Sequence, residues 1–577
     1  MTAQEALKKY FGYDDFRPLQ AEIVESVLEG HDTLALMPTG GGKSLCFQVP
    51  TIVMNGLCLV ITPLIALMKD QVENLLRRDI RAAAIYTGMS YEQQKVALDN
   101  CMWGPYHFLY VSPERLESEE FRERLSRLPI CLIAVDEAHC ISQWGYDFRP
   151  SYLKIAEIRE VIRYEGQEVP ILALTATATP DVVDDIQERL AFREKHVLRK
   201  SFMRHNLSYV VRQTNKKSYE IVHILNRVAG SAIVYVRNRQ RAQDIAAYLN
   251  EKGLSADYYH AGLSSKERSA KQEAWKTYRL GDKGTRIIVA TNAFGMGIDK
   301  PDVRIVIHHD LPDTIEAYFQ EAGRAGRDEQ KAFAVLLYDP SQDKAKARKR
   351  VADNYPEEAF LHTVYHKTCN YLGIGADSGQ GATFFLDIND LCRKMHLPII
   401  PTYSALHLLS QIGYFSFEEE QEIRPRVMIR VQRRDLDNYT LTAAQMELLE
   451  GLMREYTGVF TELQYLRGDE CIKQSDNELK RHDILVSLAQ KGIISYVPPT
   501  RANVLQLMVN RQAEIRIPER FYVGRKTHYI DKLKAMIEYA DNQQFCRSQV
   551  LLSYFGENDA ETCGTCDVCR QQKKQSN

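Results

Sequence analysis

The sequence predicts an α/β protein with two doubly wound parallel-sheet lobes, followed by winged-helix-like α+β units and a small helical zinc-binding module. Up to residue 340, apolar runs rich in Val, Ile and Leu alternate with amphipathic helical stretches, which is typical of parallel sheets buried on both faces. After residue 355 the pattern changes to helices that are each followed by two strands, in which apolar and polar residues alternate. Four cysteines close together near the C-terminus predict the metal-binding module.

Length and charge limit the functions to consider. A chain of 577 residues is long enough for three or four domains of about 150 residues each. The net charge of −2 excludes a uniformly basic surface, so binding of nucleic acid would need a local patch. The N-terminus lacks the features of a signal peptide, and no apolar run approaches the ~20 residues of a membrane-spanning helix. We therefore expect a cytoplasmic protein without a membrane partner.

The first lobe, residues 1–200, contains a glycine-rich loop after the strand predicted at 33–37. Backbone N–H groups of such a loop bind phosphate, Lys43 reaches the β- and γ-phosphates, and Ser44 binds Mg²⁺. The general motif has a glycine where this chain has Met37, so a chance glycine turn is the alternative for the loop taken alone. The nucleotide-binding residues predicted here are Thr39, Gly40, Gly41, Gly42, Lys43 and Ser44.

A second motif supports the loop. The apolar strand predicted at 130–135 ends in Asp136 and Glu137, and ligands of open α/β sheets bind beyond the carboxyl ends of the strands. Asp136 is suited to bind Mg²⁺, and Glu137 is suited to orient and deprotonate a water molecule. Together the two motifs predict an ATP site with Lys43, Asp136 and Glu137 as catalytic residues.

The stretch that follows these carboxylates predicts contact with a nucleic acid strand. Trp144 and Phe148 offer rings on which bases stack, and Arg149 offers a cation. The second lobe, residues 201–340, has no phosphate loop, but Arg324 and Arg327 lie on one face of a predicted helix. If the two lobes face each other, these arginines act as arginine fingers on the γ-phosphate. A solvated helix is the alternative.

The motifs in this order resemble those of the RecQ helicases of superfamily 2. The resemblance spans nearly all of residues 5–340 and implies two RecA-like lobes. The matching stretches are 11–20 (adenine recognition), 37–44 (a phosphate loop without the first glycine), 136–139 (the DEAH box), 140–152 (the aromatic-rich loop), 175–179 (motif III), 292–299 (motif V) and 320–327 (motif VI).

The resemblance implies roles for single residues. Tyr13 would stack on adenine, Gln20 would read its edge, and Arg17 would support the base or the phosphates. Gln320 would act in the catalytic set with the two arginines. Many relatives have His where this chain has Tyr146. What the family implies about the coupling of ATP hydrolysis to DNA binding therefore applies less directly to this chain.

The activity implied by the resemblance is that of an ATP- and Mg²⁺-dependent DNA helicase. It would move 3′ to 5′ on single strands, unwind duplex DNA and serve recombination and repair. Single-stranded DNA and duplex junctions would be its nucleic acid partners, and single-strand-binding or recombination proteins would be its protein partners. We expect a monomer. The alternatives are an RNA helicase of the same superfamily and a non-enzymatic DNA-binding scaffold.

The C-terminal cysteines predict a closed zinc site in residues 521–577. Four thiolates at a C-x16-C-x2-C-x2-C spacing suit tetrahedral Zn²⁺, and disulfides are the alternative. The segment resembles the zinc module of the family, where it follows the helicase lobes directly. The predicted ligands are Cys546, Cys563, Cys566 and Cys569.

An insertion separates the second lobe from these cysteines. A weak repeat aligns the segment from Leu406 with that from Leu485, and we predict two sequential winged-helix-like units, 341–436 and 437–520. Each is expected to close with its own hairpin: the strand from 415 pairs with 426–431, and the strand from 494 pairs with 504–509. Arg501, at the predicted tip of the second hairpin, is expected to contact duplex DNA. The first tip is acidic and predicts a spacer or protein dock, and the alternative is that both units only pack.

Overall fold

The computed structural model describes residues 1–577 except 39, 64, 87, 88, 90, 143–148, 296–299, 424, 457, 462, 463, 467–477, 498, 499 and 577. The chain forms two compact units. The first comprises Met1–Ala347 and His528–Asn577, and the second comprises Arg348–Thr527. Among the helices of the described residues, none combines the length and the apolar character that crossing a membrane requires.

The first lobe is a seven-stranded parallel sheet flanked by helices. The sheet order is β3-β4-β2-β5-β8-β1-β9, and its central strands are completely buried. The strands are β1 (Thr33–Leu36), β2 (Leu57–Ile61), β3 (Arg81–Ile85), β4 (Tyr106–Val111), β5 (Ile130–Val135), the short pair β6 (Arg163–Tyr164) and β7 (Gln167–Glu168), β8 (Ile171–Thr175) and β9 (Val197–Arg199). The helices are α1 (Ala3–Ala6), α2 (Gln20–Leu28), α3 (Leu45–Met54), α4 (Ile65–Leu76), α5 (Tyr91–Trp103), α6 (Glu119–Leu125), α7 (Ile155–Val161) and α8 (Pro180–Arg189).

The second lobe is a six-stranded parallel sheet with the order β10-β15-β14-β11-β13-β12. Its strands are β10 (Leu207–Gln213), β11 (Ser231–Tyr235), β12 (Ala256–Tyr259), β13 (Ile287–Ala290), β14 (Val303–His308) and β15 (Ala332–Tyr338). Its helices are α9 (Lys217–Arg227), α10 (Arg239–Glu251), α11 (Ser265–Thr277), α12 (Ile315–Ala322) and α13 (Pro340–Asn354). The two parallel sheets confirm the predicted fold class, because buried apolar strands alternate with helices in both lobes.

The second unit contains two small antiparallel sheets, with the orders β16-β21-β17 and β19-β18-β20. Its strands are β16 (Thr383–Leu386), β17 (Phe415–Ile423), β18 (Arg426–Ile429), β19 (Gln464–Tyr465), β20 (Ile494–Val497) and β21 (Thr500–Leu507). Its helices are α14 (Glu358–Tyr371), α15 (Ile388–Met395), α16 (Ile399–Ile412), α17 (Ala443–Glu455), α18 (Glu478–Gln490) and the first part of α19 (Glu519–Asp541). The C-terminal module of the first unit has the rest of α19, then α20 (Arg547–Tyr554) and α21 (Asp567–Ser576).

The predicted hairpins of the second unit are wrong. β17 pairs with β21, from Phe415 opposite Leu507 to Ile423 opposite Thr500. β18 pairs with β20, with Arg426 opposite Val497. The two helix-and-strand repeats therefore exchange their last strands, and the two resulting strand pairs belong to two separate sheets. We call the set α14, β16, α15, α16, β17 and β21 the outer repeat, and the set β18, α17, β19, α18 and β20 the inner repeat.

The sequence of both links between consecutive strands disfavours a two-residue hairpin turn there. A two-residue hairpin turn needs positive φ, which the proline ring cannot adopt. The sequence between β17 and β18 contains Pro425, and the sequence between β20 and β21 is Pro498-Pro499. Each repeat keeps its own apolar core: Leu406, Leu505 and Leu507 belong to the outer core, whereas the inner core lies entirely between Val427 and Ile494. The inner repeat is thus inserted within the outer one, and the predicted domain boundaries stay a prediction.

Candidate active site

A cleft of about 970 Å³ lies between the carboxyl ends of the first lobe's strands and α12 of the second lobe. Folding brings together residues from distant parts of the chain, as the sequence motifs predict. The predicted residues that line the cleft are Tyr13, Arg17, Gln20, Gly40, Gly42, Lys43, Ser44, Asp136, Glu137, Gln320, Arg324 and Arg327. Gly41 adjoins them in the loop, and Thr39 lies outside the described residues.

The phosphate loop needs glycine for conformation and for space. Gly40 and Gly42 have φ values of +82° and +79°, in the left-handed region that favours glycine. A Cβ atom on Gly42 would lie 2.3 Å from Gln20 Nε2, so no larger residue fits there. The loop leads into α3, whose N-terminal end favours anions.

Gln20 and Arg17 hold this loop. Gln20 is buried, and its Nε2 donates to the carbonyl oxygens of Gly41 and Gly42 at 3.2 and 3.0 Å. Its Oε1 accepts a 2.9 Å hydrogen bond from the backbone N–H of Arg17. Arg17 Nη1 in turn donates to Gly40 O at 2.9 Å. The adenine-recognition motif therefore also anchors the phosphate loop, a contact that the sequence did not predict. Its role towards adenine stays a prediction, as does the stacking role of Tyr13, which is 48% exposed.

Asp136 follows β5 at the floor of the cleft. Its Oδ1 accepts a 3.0 Å hydrogen bond from Glu137 N, and its carbonyl oxygen accepts one of 3.1 Å from the Tyr152 hydroxyl. Burial, followed by the neighbouring Glu137 carboxylate, raises the pKa of Asp136 to about 6, although Lys43 opposes the shift. A desolvated carboxylate beside a second carboxylate favours a bound cation.

Glu137 has a φ of +48°, a left-handed conformation that costs about 1–3 kcal/mol for a residue other than glycine. It is 8% exposed, and its buried Oε2 accepts no hydrogen bond from the described residues. His139 Nδ1 lies 3.4 Å from this oxygen and 2.9 Å from Thr175 Oγ1. The strained backbone thus aims an acceptor into the cleft, and His139 connects it to motif III.

Arg324 and Arg327 lie in the turn after α12, which ends at Ala322, so the predicted helical face for the two arginines is wrong. The turn places them in the cleft beside the phosphate loop. Gln320 and Arg324 are buried, and the Arg324 guanidinium donates to Gly295 O while its Nε has no hydrogen-bond partner among the described residues. The Arg327 side chain packs on the loop, since a Cβ atom on Gly40 would lie 3.3 Å from Arg327 Cγ. Both arginines therefore line the same cleft as the phosphate loop, and their action as arginine fingers stays a prediction.

The four predicted cysteines form one cluster near the C-terminus. Their sulfur atoms lie within 4.8 Å of one another, with 3.4 Å between Cys546 and Cys563. Backbone N–H groups of Cys563, Cys566 and Cys569 donate to sulfur atoms at 3.2–3.4 Å, which stabilises thiolates. Four sulfurs at ~2.3 Å from a central ion fit this cluster, so the residues suit tetrahedral Zn²⁺.

Comparison with known families assigns the parts of the chain. The model of the DEAD/DEAH box helicase matches residues 17–186, and that of the helicase conserved C-terminal domain matches residues 215–329. The RecQ zinc-binding model matches residues 508–570. All three matches agree with the positions of the two lobes and the cysteine cluster.

The similar curated proteins are named as ATP-dependent DNA helicases. ATP-dependent DNA helicase RecQ of Pasteurella multocida is 42% identical over 341 residues, which cover 59% of this chain and 52% of the relative. RecQ of Bacillus subtilis is 43% identical over 59% of this chain and 56% of the relative. The probable ATP-dependent DNA helicase RecS of Bacillus subtilis is 41% identical over 344 residues, 58% of this chain and 67% of the relative.

The chain belongs to the RecQ family. It covers between about half and two thirds of the length of these relatives. This RecQ-family chain differs from the predicted family order in its second unit, which lies between the second lobe and the cysteines of the zinc-binding segment.

The residues predicted to contact DNA are only partly described. Trp144 and Phe148 of the RecQ-like aromatic-rich loop lie outside the described residues, as does Tyr146. Arg149 lies within this loop. Its backbone N–H donates to Cys140 O at 2.8 Å, and its Nη1 donates to Pro63 O at 3.5 Å. Arg501 is not at a hairpin tip, because it pairs with Glu422 within the ladder of β17 and β21. Its contact with DNA stays a prediction.

Two residues of the RecQ motifs were missed as site residues. His139 links Glu137 to Thr175, and Tyr152 supports the Asp136 backbone. Both lie in stretches whose resemblance to the family was visible in the sequence. Their polar groups next to apolar strands were the signal, since a buried polar group needs a partner.

Proposed function

We propose that this RecQ-family protein is an ATP-dependent DNA helicase that unwinds duplex DNA by moving 3′ to 5′ on single strands, in recombination and repair. The observation that carries the proposal is the cleft in which Lys43, Asp136 and Glu137 of the first lobe meet Arg324 and Arg327 of the second. A site divided between two lobes responds to their approach, so hydrolysis and lobe movement are coupled.

The residues of the cleft suit phosphoryl transfer to water. Lys43 and the loop N–H groups bind the phosphates, and Glu137 Oε2, which has no hydrogen-bond donor among the described residues, accepts the proton of the attacking water. Arg324 and Arg327 stabilise the charge that develops on the γ-phosphate.

Asp136 and Ser44 would hold Mg²⁺. The desolvated Asp136 carboxylate, with its raised pKa, fits a divalent cation better than it fits an isolated negative charge. Mg²⁺ neutralises phosphate charge when bound. Gln320 belongs to the same cleft and is proposed to respond to the γ-phosphate with the arginines.

The aromatic-rich loop is proposed as the DNA sensor. Stacking of a base on Trp144 or Phe148 contributes ~1–3 kcal/mol, which is comparable with the ~1.4 kcal/mol of one base-pair step. A few such contacts therefore hold one newly opened pair. Because the loop starts directly after the 136–139 motif, movement in the ATP cleft reaches it over a few residues.

The remaining parts are proposed to act on DNA structure. We propose that zinc stabilises the C-terminal module. We also propose that Arg501 in β21 contacts duplex DNA. We further propose that the protein acts as a monomer on single strands and duplex junctions, together with single-strand-binding or recombination proteins.

ATP hydrolysis with single-stranded DNA, with RNA and with neither tests the proposal. We expect strong stimulation by DNA alone, and loss of hydrolysis but not of ATP binding in Glu137→Gln. Glu168→Gln is the matched control, because Glu168 lies in the same lobe with its side chain 50% exposed and outside the cleft. Equal stimulation by RNA would favour an RNA helicase, and hydrolysis absent under all conditions would favour a DNA-binding scaffold.

A further inference from the structure

Helix α12, which directly precedes the turn with Arg324 and Arg327, has a face that packs on the C-terminal module. Tyr318 contacts Tyr539 of α19 with ring centroids 5.3 Å apart, and Phe319 contacts Phe555 with centroids 5.0 Å apart. Both α12 residues are buried in a core shared by the lobes and this module. The position of α12 therefore depends on aromatic side chains from the zinc-binding segment.

A buried ion pair fixes the start of the same helix. Lys532 Nζ donates to Glu316 Oε1 at 2.7 Å, and the two side chains are only 8% and 3% exposed. Removing one partner of such a pair leaves an uncompensated buried charge, whereas exposed pairs contribute little. Glu316 is one helical turn before Gln320, and α12 ends at Ala322, two residues before Arg324. A shift at the ion pair therefore moves Gln320 and the start of the turn that carries the arginines.

Residues next to the zinc ligands fix Tyr539, which packs on Tyr318 of α12. Arg547, which follows Cys546, donates to both carboxylate oxygens of Asp567 at 3.1 Å and to the backbone carbonyl of Tyr539. Asp567 follows Cys566, and its Oδ2 also accepts a 3.1 Å hydrogen bond from Val211 N in β10. Contacts thus run from the cysteine cluster through Arg547 to Tyr539, the residue that packs on Tyr318.

We propose that the zinc-loaded module positions α12, with Lys532 and Glu316 as the positioning pair. The arginines then reach the γ-phosphate only when the module is folded against the helix. This inference rests on the proposed function, because it concerns how the arginines act in hydrolysis. Neither Lys532 nor Glu316 lines the cleft, so they act through α12 and not on the nucleotide.

Comparing the affinity for ADP with that for ADP with aluminium fluoride distinguishes a role of Lys532 in positioning α12 from a role in overall stability. In the proposed function the arginines act on the γ-phosphate, which ADP lacks. Their displacement should therefore weaken binding of ADP with aluminium fluoride and leave binding of ADP alone unchanged. We would compare the full-length Lys532→Met protein with Lys534→Met. Lys534 lies on the same helix, but its side chain is 71% exposed and 3.8 Å from its partner Glu538.

We expect Lys532→Met to retain its zinc and its ADP affinity, to lose at least about tenfold in affinity for ADP with aluminium fluoride, and to show faster hydrogen exchange of the α12 amides. Lys534→Met should match the wild type in all four measurements. Lys532→Arg, which keeps the positive charge, should restore most of the lost affinity.

Unchanged affinity for ADP with aluminium fluoride in a zinc-loaded Lys532→Met protein would overturn the positioning role. If this variant loses zinc or does not fold, Glu316→Gln, which keeps an acceptor for Lys532, decides by the same measurements. A wild-type protein that binds ADP with aluminium fluoride no tighter than ADP would instead contradict the proposed function, and the inference would fall with it.

Discussion

The exchange of strands between the two repeats predicts which part of the second unit can be removed. Replacing residues 424–499 by Asn-Gly joins Ile423 to Thr500, which already face each other in the ladder. Asn-Gly supports the positive φ values of a two-residue hairpin turn. Since the inner core shares no residue with the outer core, we expect the outer repeat to stay folded in this protein.

Deletion of residues 437–520, the second unit in the predicted sequential order, should have the opposite effect. It removes β21, whose Leu505 and Leu507 are 0% and 1% exposed. Burial of each side chain contributes about 1.5–3 kcal/mol, so about 3–6 kcal/mol is lost before the backbone ladder is considered. That loss is comparable with the whole stability of a domain, about 5–15 kcal/mol.

Hydrogen exchange of α14 and α16 measures the difference. We expect native protection of both helices after the deletion of 424–499 and loss of protection after the deletion of 437–520. ATP hydrolysis by the first unit serves as the control for an intact protein. Retained protection without β21, together with lost protection in the Asn-Gly protein, would refute the exchanged pairing.

Three further outcomes follow from the site. Trp144→Ala should keep ATP binding and lower DNA-stimulated hydrolysis severalfold, and unaltered stimulation would remove the sensor role from this loop. Because the pKa of Asp136 is raised from 3.8 to about 6, its charged form is lost as the pH falls through 6, so calorimetry from pH 8 to 5 should show weakening binding of Mg²⁺ with ADP. Asp136→Asn should abolish that pH dependence, and an identical dependence in the variant would assign it to another group. Cys563→Ser should lower the bound zinc measured by metal analysis and the melting temperature of the protein, whereas full zinc content would exclude this sulfur as a ligand.

The two lobes were predictable because their central strands are apolar on both faces. The strand predicted at 130–135 is β5 with the same bounds, and the strand predicted at 33–37 is β1, which ends one residue earlier. β3 was missed because its sequence, Arg-Ala-Ala-Ala-Ile, has low strand propensity and gains its conformation from pairing with β4 at the sheet edge. Pairing with a neighbouring strand that lies far away in the chain cannot be predicted from the residues of β3 alone.

The site was predictable at the level of motifs, and its internal contacts were not. Lys43, Asp136 and Glu137 follow from spacing, since loops at the same edge of a parallel sheet meet. The anchoring of Gly42 by Gln20 depends on where α2 packs, which no spacing encodes. The repeat in the second unit identified strands correctly but not their partners, because either pairing satisfies the same alternation. The prolines of the two links were the available signal.

Unwinding of a duplex with one single-stranded tail tests the central claim most directly. The protein should separate the strands of DNA with a 3′ tail when ATP and Mg²⁺ are present, and should leave a duplex with only a 5′ tail intact. Glu137→Gln should separate neither. Equal unwinding of both substrates would contradict the proposed direction, and separation without ATP hydrolysis would contradict the helicase function itself.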